Sequence, residues 1–380
     1  MKKVFLIDGC RSPMGRAGEK GLFHNLRADD LAVQVFKSLL KRTNLDIKNI
    51  NDLFLGCVGQ HLEQGKNLAR LIAVLADLPD LPGVTINRLC ASSLSALQMA
   101  ADSIRAGNNN QLIVGGVEHL GHVSMTSALN YHNDLFKNYD FPWTNMGLTA
   151  EKLALDFGIT RQNQDEYTQR TNLNYFEAKE AGFFKREIVP VKLENGETVE
   201  DDQGPRISTL ESLGVLKPVF KEGGSVTAAN SSGLSDGVCM AWAGDSSAAD
   251  SSGKPPLAEI GPGAVAALNP EDMGLGPVLA IQKLLKNSGL SLSEIDLFEI
   301  NEAFAVQVLA CRDKLGINPN RLNIHGGAVA LGHPLGMTGL RIAVTLAHSM
   351  VEKNAQYGIA ALCVGHGQGQ ALLLKKTSSK

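Results

Sequence analysis

The chain has no closely spaced cysteines. Its six, Cys10, Cys57, Cys90, Cys239, Cys311 and Cys363, form no CxxC pair. A cysteine-rich zinc site is therefore not expected, and with nothing to suggest secretion neither are structural disulfides. There is no long hydrophobic run near the start: VFLI stops at Asp8, too short for a signal-peptide core or a membrane span. The expected address is cytoplasmic, with no integral membrane segment. A basic stripe is also missing. The 36 Lys and Arg are mixed along the chain with 39 Asp and Glu, so nucleic acid is not an expected partner. Aromatics are scarce at 5 %, whereas glycine is frequent, and 380 residues suffice for two domains with a sizeable core.

Strand and helix patterns alternate. KKVFLID, DLFLGCV, PGVTINRLC and QLIVGGVEHL read as buried strands. Between them lie the helical patterns DDLAVQVFKSLLKR, NLARLIAVLADL (ended by Pro79) and ASSLSALQMAADSIRAG, with Gly107 as C-cap. The C-terminal part repeats the order: PPLAEIGPGAV, DLFEIN, RLNIHGG and YGIAALCVGHGQGQALLLKK supply strands. PVLAIQKLLKNSG, EAFAVQVLACRDKLG and GLRIAVTLAHSMVEKN supply helices. This is the pattern of an α/β fold with a mostly parallel sheet covered on both faces. TIN, a helix and GNNNQLIVGG in the first half resemble NIH, a helix and KNAQYGIAALCVG in the second, so a duplicated unit could pack two sheets around shared central helices. The middle, from about His119 to Ser252, differs. NYHNDLFKNYDFPWTNMG is aromatic and irregular, a long polar helix runs between Thr160 as N-cap and Gly182 as stop, and AGDSSAADSSGKPP is loop-like. An insertion of this kind often covers an active site.

Four stretches carry candidate chemistry. Cys90 stands where a strand meets a helix, a place where N–H groups and the dipole favour a thiolate. Ala91, Ser92 and Ser93 beside it are small enough for a substrate to approach. His333 lies in GGAVALGHPLGMTG, a Gly- and Pro-rich frame around one titratable group, which favours a base or oxyanion donor over a solvent-facing turn histidine. Cys363 precedes Gly365, Gly367 and Gly369, whose N–H groups can bind an oxyanion; a tight hairpin would explain these glycines but not the cysteine. Asn301 opens NEAFA at a strand-to-helix junction and reads either as an N-cap or as the holder of a water or oxyanion. His119 and His122 are spaced as metal ligands might be, but no third ligand is evident and no metal is expected. Cys10, Cys57, Cys239 and Cys311 sit in apolar runs as core residues. His366 either lines the site or is exposed.

Together RLCASS, NEAFA, GGAVALGHPLGMTG and CVGHGQG resemble, in order, the motifs of the thiolase family, as do VTAANSSGLSDG and MGLTAE. RSPMGRAGEKGLFHNLRADDLA, LEQGKNLAR and VGGVEHLGHVSM are most similar to the bacterial 3-ketoacyl-CoA thiolases of fatty-acid β-oxidation, the β-subunits of the fatty-acid oxidation complex. The resemblance implies a thiolase-like fold: two duplicated βαβαβαββ halves in an α-β-α-β-α sandwich with an inserted loop domain. Residues 1–118 plus about 225–252 would form the N-terminal half, 119–224 the insert over the CoA site, and 253–380 the C-terminal half.

It also implies roles. Cys90 is the acyl-thioester nucleophile, His333 the proton acceptor and oxyanion donor, and Cys363 the second proton acceptor and donor. Asn301 holds a water at an oxyanion, the backbone N–H groups of Gly365 and Cys90 hold the other oxyanion, and Met146 and Ser232 line the pantetheine channel. CoA is a co-substrate, and no cofactor is held permanently. A homodimer is implied, within a heterotetramer with the hydratase/dehydrogenase α-subunit. Departures from the family pattern are His366 and Ala229, where glycine is common, and AGDSSAADSSGKPP, where a helix is usual. Two other functions stay open: a biosynthetic, acetoacetyl-CoA-forming thiolase using the same residues in reverse, and a non-catalytic acyl-CoA carrier. A decarboxylating ketosynthase fits less well, since its nucleophile is served by two histidines.

Overall fold

A computed structural model describes residues 2–43, 45–137 and 142–377. Part of the aromatic stretch read as irregular, 138–141, lies outside the described residues, as do 378–380 at the end of the proposed C-terminal half. Nine strands of four residues or more build the central sheet. They are β1 (Phe5–Arg11), β2 (Leu53–Gly56), β3 (Gly83–Ile86), β4 (Gln111–His119), β5 (Ser235–Gly244), β6 (Ala258–Ala267), β7 (Leu297–Ile300), β8 (Tyr357–Val364) and β9 (Gln368–Lys375). Their hydrogen-bonded order is β7-β8-β9-β6-β1-β5-β4-β2-β3. Among the described residues the strands of the two halves pair where β1 meets β6, through Phe5↔Glu259 and Leu6↔Ala258. In the first half β2 runs parallel to β3 and β4, and β5 runs antiparallel to β4 and β1. The second half repeats this with β7 parallel to β8 and β9 antiparallel to β8 and β6.

Eight principal helices cover the sheet: α1 (Ala28–Thr43), α2 (Leu68–Leu75), α3 (Ser92–Ala106), α4 (Met146–Asp156), α5 (Arg161–Glu180), α6 (Gly276–Ser288), α7 (Ala305–Leu315) and α8 (Leu335–Lys353). Alternation along the strands divides the apolar side chains between layers, because successive residues face opposite sides. Ile7, Ile113 and Trp242 pack with Leu31 and Phe36 of α1 and Ile72 of α2. Their neighbours Leu6, Val114 and Ala241 turn inward, onto Leu94 and Leu97 of α3 and Leu340 and Val344 of α8. Leu362, Leu372 and Leu374 of the second half meet the same central helices, whereas Ile359 and Leu373 face α6 and α7. The layers therefore run helix, sheet, helix, sheet, helix, with α3 and α8 in the middle. Every residue of α8 from Gly336 to Met350 is buried, as a helix enclosed on all sides requires. The two central helices approach closely at Gly339, where an added Cβ would lie 2.6 Å from the Leu94 nitrogen.

The sheet is mixed and not mostly parallel as the alternation suggested, because β1, β5, β6 and β9 enter it antiparallel to their neighbours, and three local features also depart from the sequence reading. RLNIHGG forms no strand: its only pairing is a single parallel bridge, Phe298↔Leu322. Asn323 takes φ +48°, and its side chain replaces a neighbouring strand by accepting from Ile300 N (2.9 Å) and donating to Ile300 O (2.9 Å). The loop-like AGDSSAADSSGKPP contains a helix, Ser246–Ser251, capped by the Asp245 side chain. The second helix ends at Leu75, before Pro79 comes into play. The long polar helix α5 is capped as its sequence indicates, with a Thr160–Asn163 capping box and Gly182 at φ +75° beyond its end. The segment between β4 and β5 is fastened to the sheet through a buried ion cluster. Arg11 of β1 donates to Glu187 (2.6 Å) and to both oxygens of Asp202 (2.6 and 2.9 Å). Glu187 also accepts from Thr345 of α8 (2.9 Å). Replacing Arg11 by Met strands two buried carboxylates, and the expected cost is about 3–5 kcal/mol. Urea unfolding checks this; a loss below about 1 kcal/mol would mean that the cluster does not fasten the segment.

Candidate active site

Cys90 stands on a tight turn between β3 and α3. Leu89 has φ +46°, in the left-handed region that a branched side chain rarely enters. Ser92 holds the turn by donating to Leu89 O (2.6 Å) and accepting from Arg88 N (2.9 Å). Ser93 accepts from Leu340 N of α8 (2.9 Å). Ser92 and Ser93 are fully buried, so they brace the turn and the helix pair instead of clearing a path for substrate, as their size had suggested. Cys90 is the one cysteine that is not buried. Loss of water pushes its thiol up to about 11, while the N–H groups of Gly365 and of Cys90 itself, which point at the sulfur, pull it down. Desolvation outweighs those N–H groups, so the balance at the sulfur runs against the resting thiolate that the helix terminus favours.

His333 is buried in the loop that leads into α8. Its Nδ1 lies 2.7 Å from Thr338 Oγ1, whose own proton is donated to Pro334 O (2.7 Å). The hydroxyl can then only accept, so Nδ1 carries the imidazole hydrogen and Nε2 carries the lone pair. Asn301 Nδ2 lies 3.4 Å from that Nε2. Burial, with the Arg341 charge adding to it, pushes His333 down to about 3, so the ring is a neutral base. Asn301 is not the N-cap of the following helix; Phe304 holds that position. Asn301 is buried, and its Oδ1 has no hydrogen-bond partner among the described residues.

Cys363, near the end of β8, is buried, and its thiol is driven well up by desolvation and then by the charge of Cys90, which puts the two sulfurs in one neighbourhood. Gly365 follows in the turn. A Cβ there would lie 3.2 Å from Leu89 Cδ1 and 3.8 Å from Met146 Sδ, so Met146, at the start of α4, borders the nucleophile turn. Ser232 donates its N–H to Ala303 O (3.0 Å), and the next residue, Gly233, accepts from His333 N (3.1 Å). Residues from six stretches thus gather in two groups, Cys90 with Cys363, Gly365 and Met146, and His333 with Asn301 and Ser232; the Asn301 N–H donates to Ala361 O (2.9 Å), two residues before Cys363.

Among the other candidates, Cys10, Cys57, Cys239 and Cys311 are buried in apolar clusters, as expected. The expectation that His119 and His122 lack a third donor is corrected: Glu63 lies with them, all donor atoms within 4.8 Å. The ring nitrogens there already meet protein groups. His122 Nδ1 faces Glu63 (3.0 Å) and its Nε2 faces His24 O (2.7 Å); His119 Nε2 faces Phe23 O (3.1 Å), and its Nδ1 accepts from His122 N (3.1 Å). His366 is half-buried and touches aromatic residues of the insert.

The family model described as "Thiolase, N-terminal domain" matches residues 4–242, and "Thiolase, C-terminal domain" matches 254–376. The chain belongs to the thiolase family. It is 43 % identical to a 3-ketoacyl-CoA thiolase of Citrobacter koseri over the full length of both chains. It is also 43 % identical to one of Salmonella typhimurium, covering 99 % of this chain and 100 % of that one. Solved structures superpose as closely. Human mitochondrial 3-ketoacyl-CoA thiolase has a TM-score of 0.89 at 32 % identity, covering 99 % of each chain. Bacillus anthracis acetyl-CoA acetyltransferase has a TM-score of 0.89 at 37 % identity, again covering 99 % of each.

Within this thiolase, two buried carboxylates that motif reading missed hold the His333 loop. Glu118, at the end of β4, accepts from Gly336 N (2.8 Å), Val58 N (3.1 Å), Gly59 N (3.0 Å) and Gln64 Nε2 (3.0 Å). Glu302 accepts from Tyr167 (2.6 Å), Asn323 (2.8 Å), Thr171 (3.1 Å) and Val329 N (3.0 Å). The only sequence signal for either was an acid inside an otherwise apolar strand end or beside Asn301. The protonation states above fix how Cys90 reacts. Iodoacetamide at pH 7 should modify Cys90 before the five buried cysteines, but slowly, with the rate rising about tenfold per pH unit up to at least pH 9. Mass spectrometry follows the adduct; a fast reaction independent of pH in this range would mean a resting thiolate–imidazolium pair.

Proposed function

We propose that this thiolase catalyses CoA-dependent cleavage of a 3-ketoacyl-CoA to acetyl-CoA and an acyl-CoA two carbons shorter, through an acyl-Cys90 intermediate. It is an acyltransferase of fatty-acid metabolism, matching the curated relatives along the whole chain. The observation that carries the residue assignment is the approach of the Gly365 turn, two residues beyond the buried Cys363, to the turn of the partly exposed Cys90, where a Cβ on Gly365 would lie 3.2 Å from Leu89 Cδ1 and its N–H is directed at the Cys90 sulfur. Two thiols answer two needs: a nucleophile for the acyl group, and an acid–base for the α-carbon and for the CoA sulfur.

In this mechanism His333 Nε2 takes the Cys90 proton as the sulfur attacks the 3-keto carbon. Since both groups are neutral at rest, transfer accompanies attack. The Gly365 and Cys90 N–H groups receive the oxyanion. The bond between the α-carbon and the keto carbon breaks, and the acetyl-CoA enolate oxygen is held by His333 and by a water on the unpartnered Asn301 Oδ1. Cys363 protonates the enolate carbon and so becomes a thiolate. That thiolate takes the proton of incoming CoA, the CoA sulfur attacks the acyl carbon, and Cys90 leaves and recovers its proton from His333. Met146 and Ser232 line the pantetheine arm.

CoA acts as co-substrate without a resident cofactor; a human thiolase of this fold was solved with CoA. Among the described residues no helix is long and apolar enough to cross a membrane, which agrees with a cytoplasmic enzyme. The edge strand β3, with exposed Val84 and with Leu71, Val74 and Leu75 exposed on α2, supports the homodimer; assembly with a hydratase/dehydrogenase subunit rests on the sequence resemblance alone. The biosynthetic reading is favoured by one observation, the equal superposition on an acetyl-CoA acetyltransferase. Comparing thiolysis of acetoacetyl-CoA and 3-ketopalmitoyl-CoA with condensation of acetyl-CoA separates the two directions. In the same assay Cys90→Ala should lose roughly 10⁴-fold or more in kcat, and wild type given acyl-CoA should carry one acyl group on Cys90 by peptide mass spectrometry. Retained turnover in Cys90→Ala, or an acyl group elsewhere, would overturn the mechanism.

A further inference from the structure

His366 occupies the middle of the Gly365–Gly367 turn with φ +64°, a backbone that favours glycine and strains a bulkier residue. Its ring meets Trp143 edge-on at 5.3 Å and Tyr131 at 5.8 Å. Tyr131 Oη and His366 Nε2 are hydrogen-bonded at 3.2 Å. Phe136 backs the group, stacking on Trp143 at 6.0 Å and meeting Tyr131 edge-on at 6.0 Å. In a chain poor in aromatics, three rings and an imidazole gather at one place, and they bind the insert to the turn of the C-terminal half. Trp143 is buried, and Tyr131 and His366 are half-buried.

The location is informative. The N–H of Gly365, the preceding residue, points at Cys90 Sγ. In the acyl-Cys90 reading, an acyl group whose thioester oxygen takes that N–H lies beside the turn that carries His366. A glycine there would leave room; an imidazole braced by Tyr131 and Trp143 does not. We propose that His366, held by Tyr131, is the specificity-determining residue that shortens the acyl pocket, so that the enzyme prefers short 3-ketoacyl chains. This rests on the acyl-Cys90 reading. It goes beyond that reading by naming the substrate class and the residue that sets it.

The test is kcat/KM for thiolysis of 3-ketoacyl-CoAs of four, eight, twelve and sixteen carbons by wild type, His366→Gly and Tyr131→Phe. Wild type should decline with length. His366→Gly removes the ring and suits the local φ, so it should fold; the ratio of the sixteen- to the four-carbon substrate should rise about tenfold or more, mainly through lower KM for long chains. Tyr131→Phe keeps the ring and loses only the hydrogen bond, and should raise the ratio about two- to threefold. A wild type that already prefers sixteen carbons, or an active His366→Gly with an unchanged length profile, would overturn the proposal while leaving thiolysis standing. No turnover of any 3-ketoacyl-CoA by wild type would instead overturn the thiolysis reading, and the proposal with it.

Discussion

The site depends on two carboxylates that never touch substrate. Glu118 and Glu302 are fully buried, and a buried carboxylate without donors would cost several kcal/mol. Each is surrounded by donors, and for each a backbone N–H of the His333 loop is among them: Gly336 N for Glu118 and Val329 N for Glu302. The loop cannot shift without stripping a hydrogen bond from a buried charge. Thr171, which bonds Glu302, also accepts from Gly327 N (2.9 Å), so α5 of the insert joins the same clamp. This explains how a run rich in glycine can be rigid: its freedom is removed by partners outside it.

Rigidity sets the electrostatics. Because the loop holds His333 in a dry position, the imidazole stays neutral, and Thr338 decides which nitrogen is free. Loss of water at Cys90 likewise pushes its thiol up despite the N–H groups around it. Neither group is charged before substrate arrives. In the proposed mechanism the polar groups are aligned with the charge that develops during reaction, and such preorganised dipoles contribute most where water is excluded. A resting thiolate would have drawn the same N–H groups to the sulfur more tightly and left less for the oxyanion.

Much of this was legible in the sequence, because the decisive signals are local. Alternating strands and helices, Thr160 and Gly182 around α5, and the setting of Cys90, His333, Asn301 and Cys363 each lie within about a dozen residues. What was not legible depends on distant partners. Glu118 is an ordinary acid until Gly336 arrives from more than two hundred residues away. Glu63 meets His119 and His122 only through the fold. Asn323 reads as part of a strand because its neighbours are apolar, yet its amide takes over the strand's hydrogen bonds. The N–H groups that favour a thiolate at Cys90 follow from the helix start alone, whereas the loss of water that opposes them is set by residues distant in the chain.

The duplication accounts for why the parts meet. Leu53 pairs with Ile113 in the first half, and Leu297 pairs with Gly358 in the second. Counting forward from these equivalent pairs by the same step sets Glu118 and Cys363 at corresponding positions on β4 and β8. One half uses that position for a clamp and the other for the thiol proposed as the acid–base, and each lies beside the other half's residues. Glu118 of the first half holds Gly336 in the loop that carries His333, while Gly365, two residues beyond Cys363 in the second half, directs its N–H at Cys90 of the first. The central helices α3 and α8 bring the two ends together, with Ser93 accepting from Leu340 N and Gly339 against Leu94. A single copy of the unit would have the strand end but nothing opposite it. The chemistry therefore belongs to the seam between the halves, where a position that is structural on one side is free to become reactive on the other.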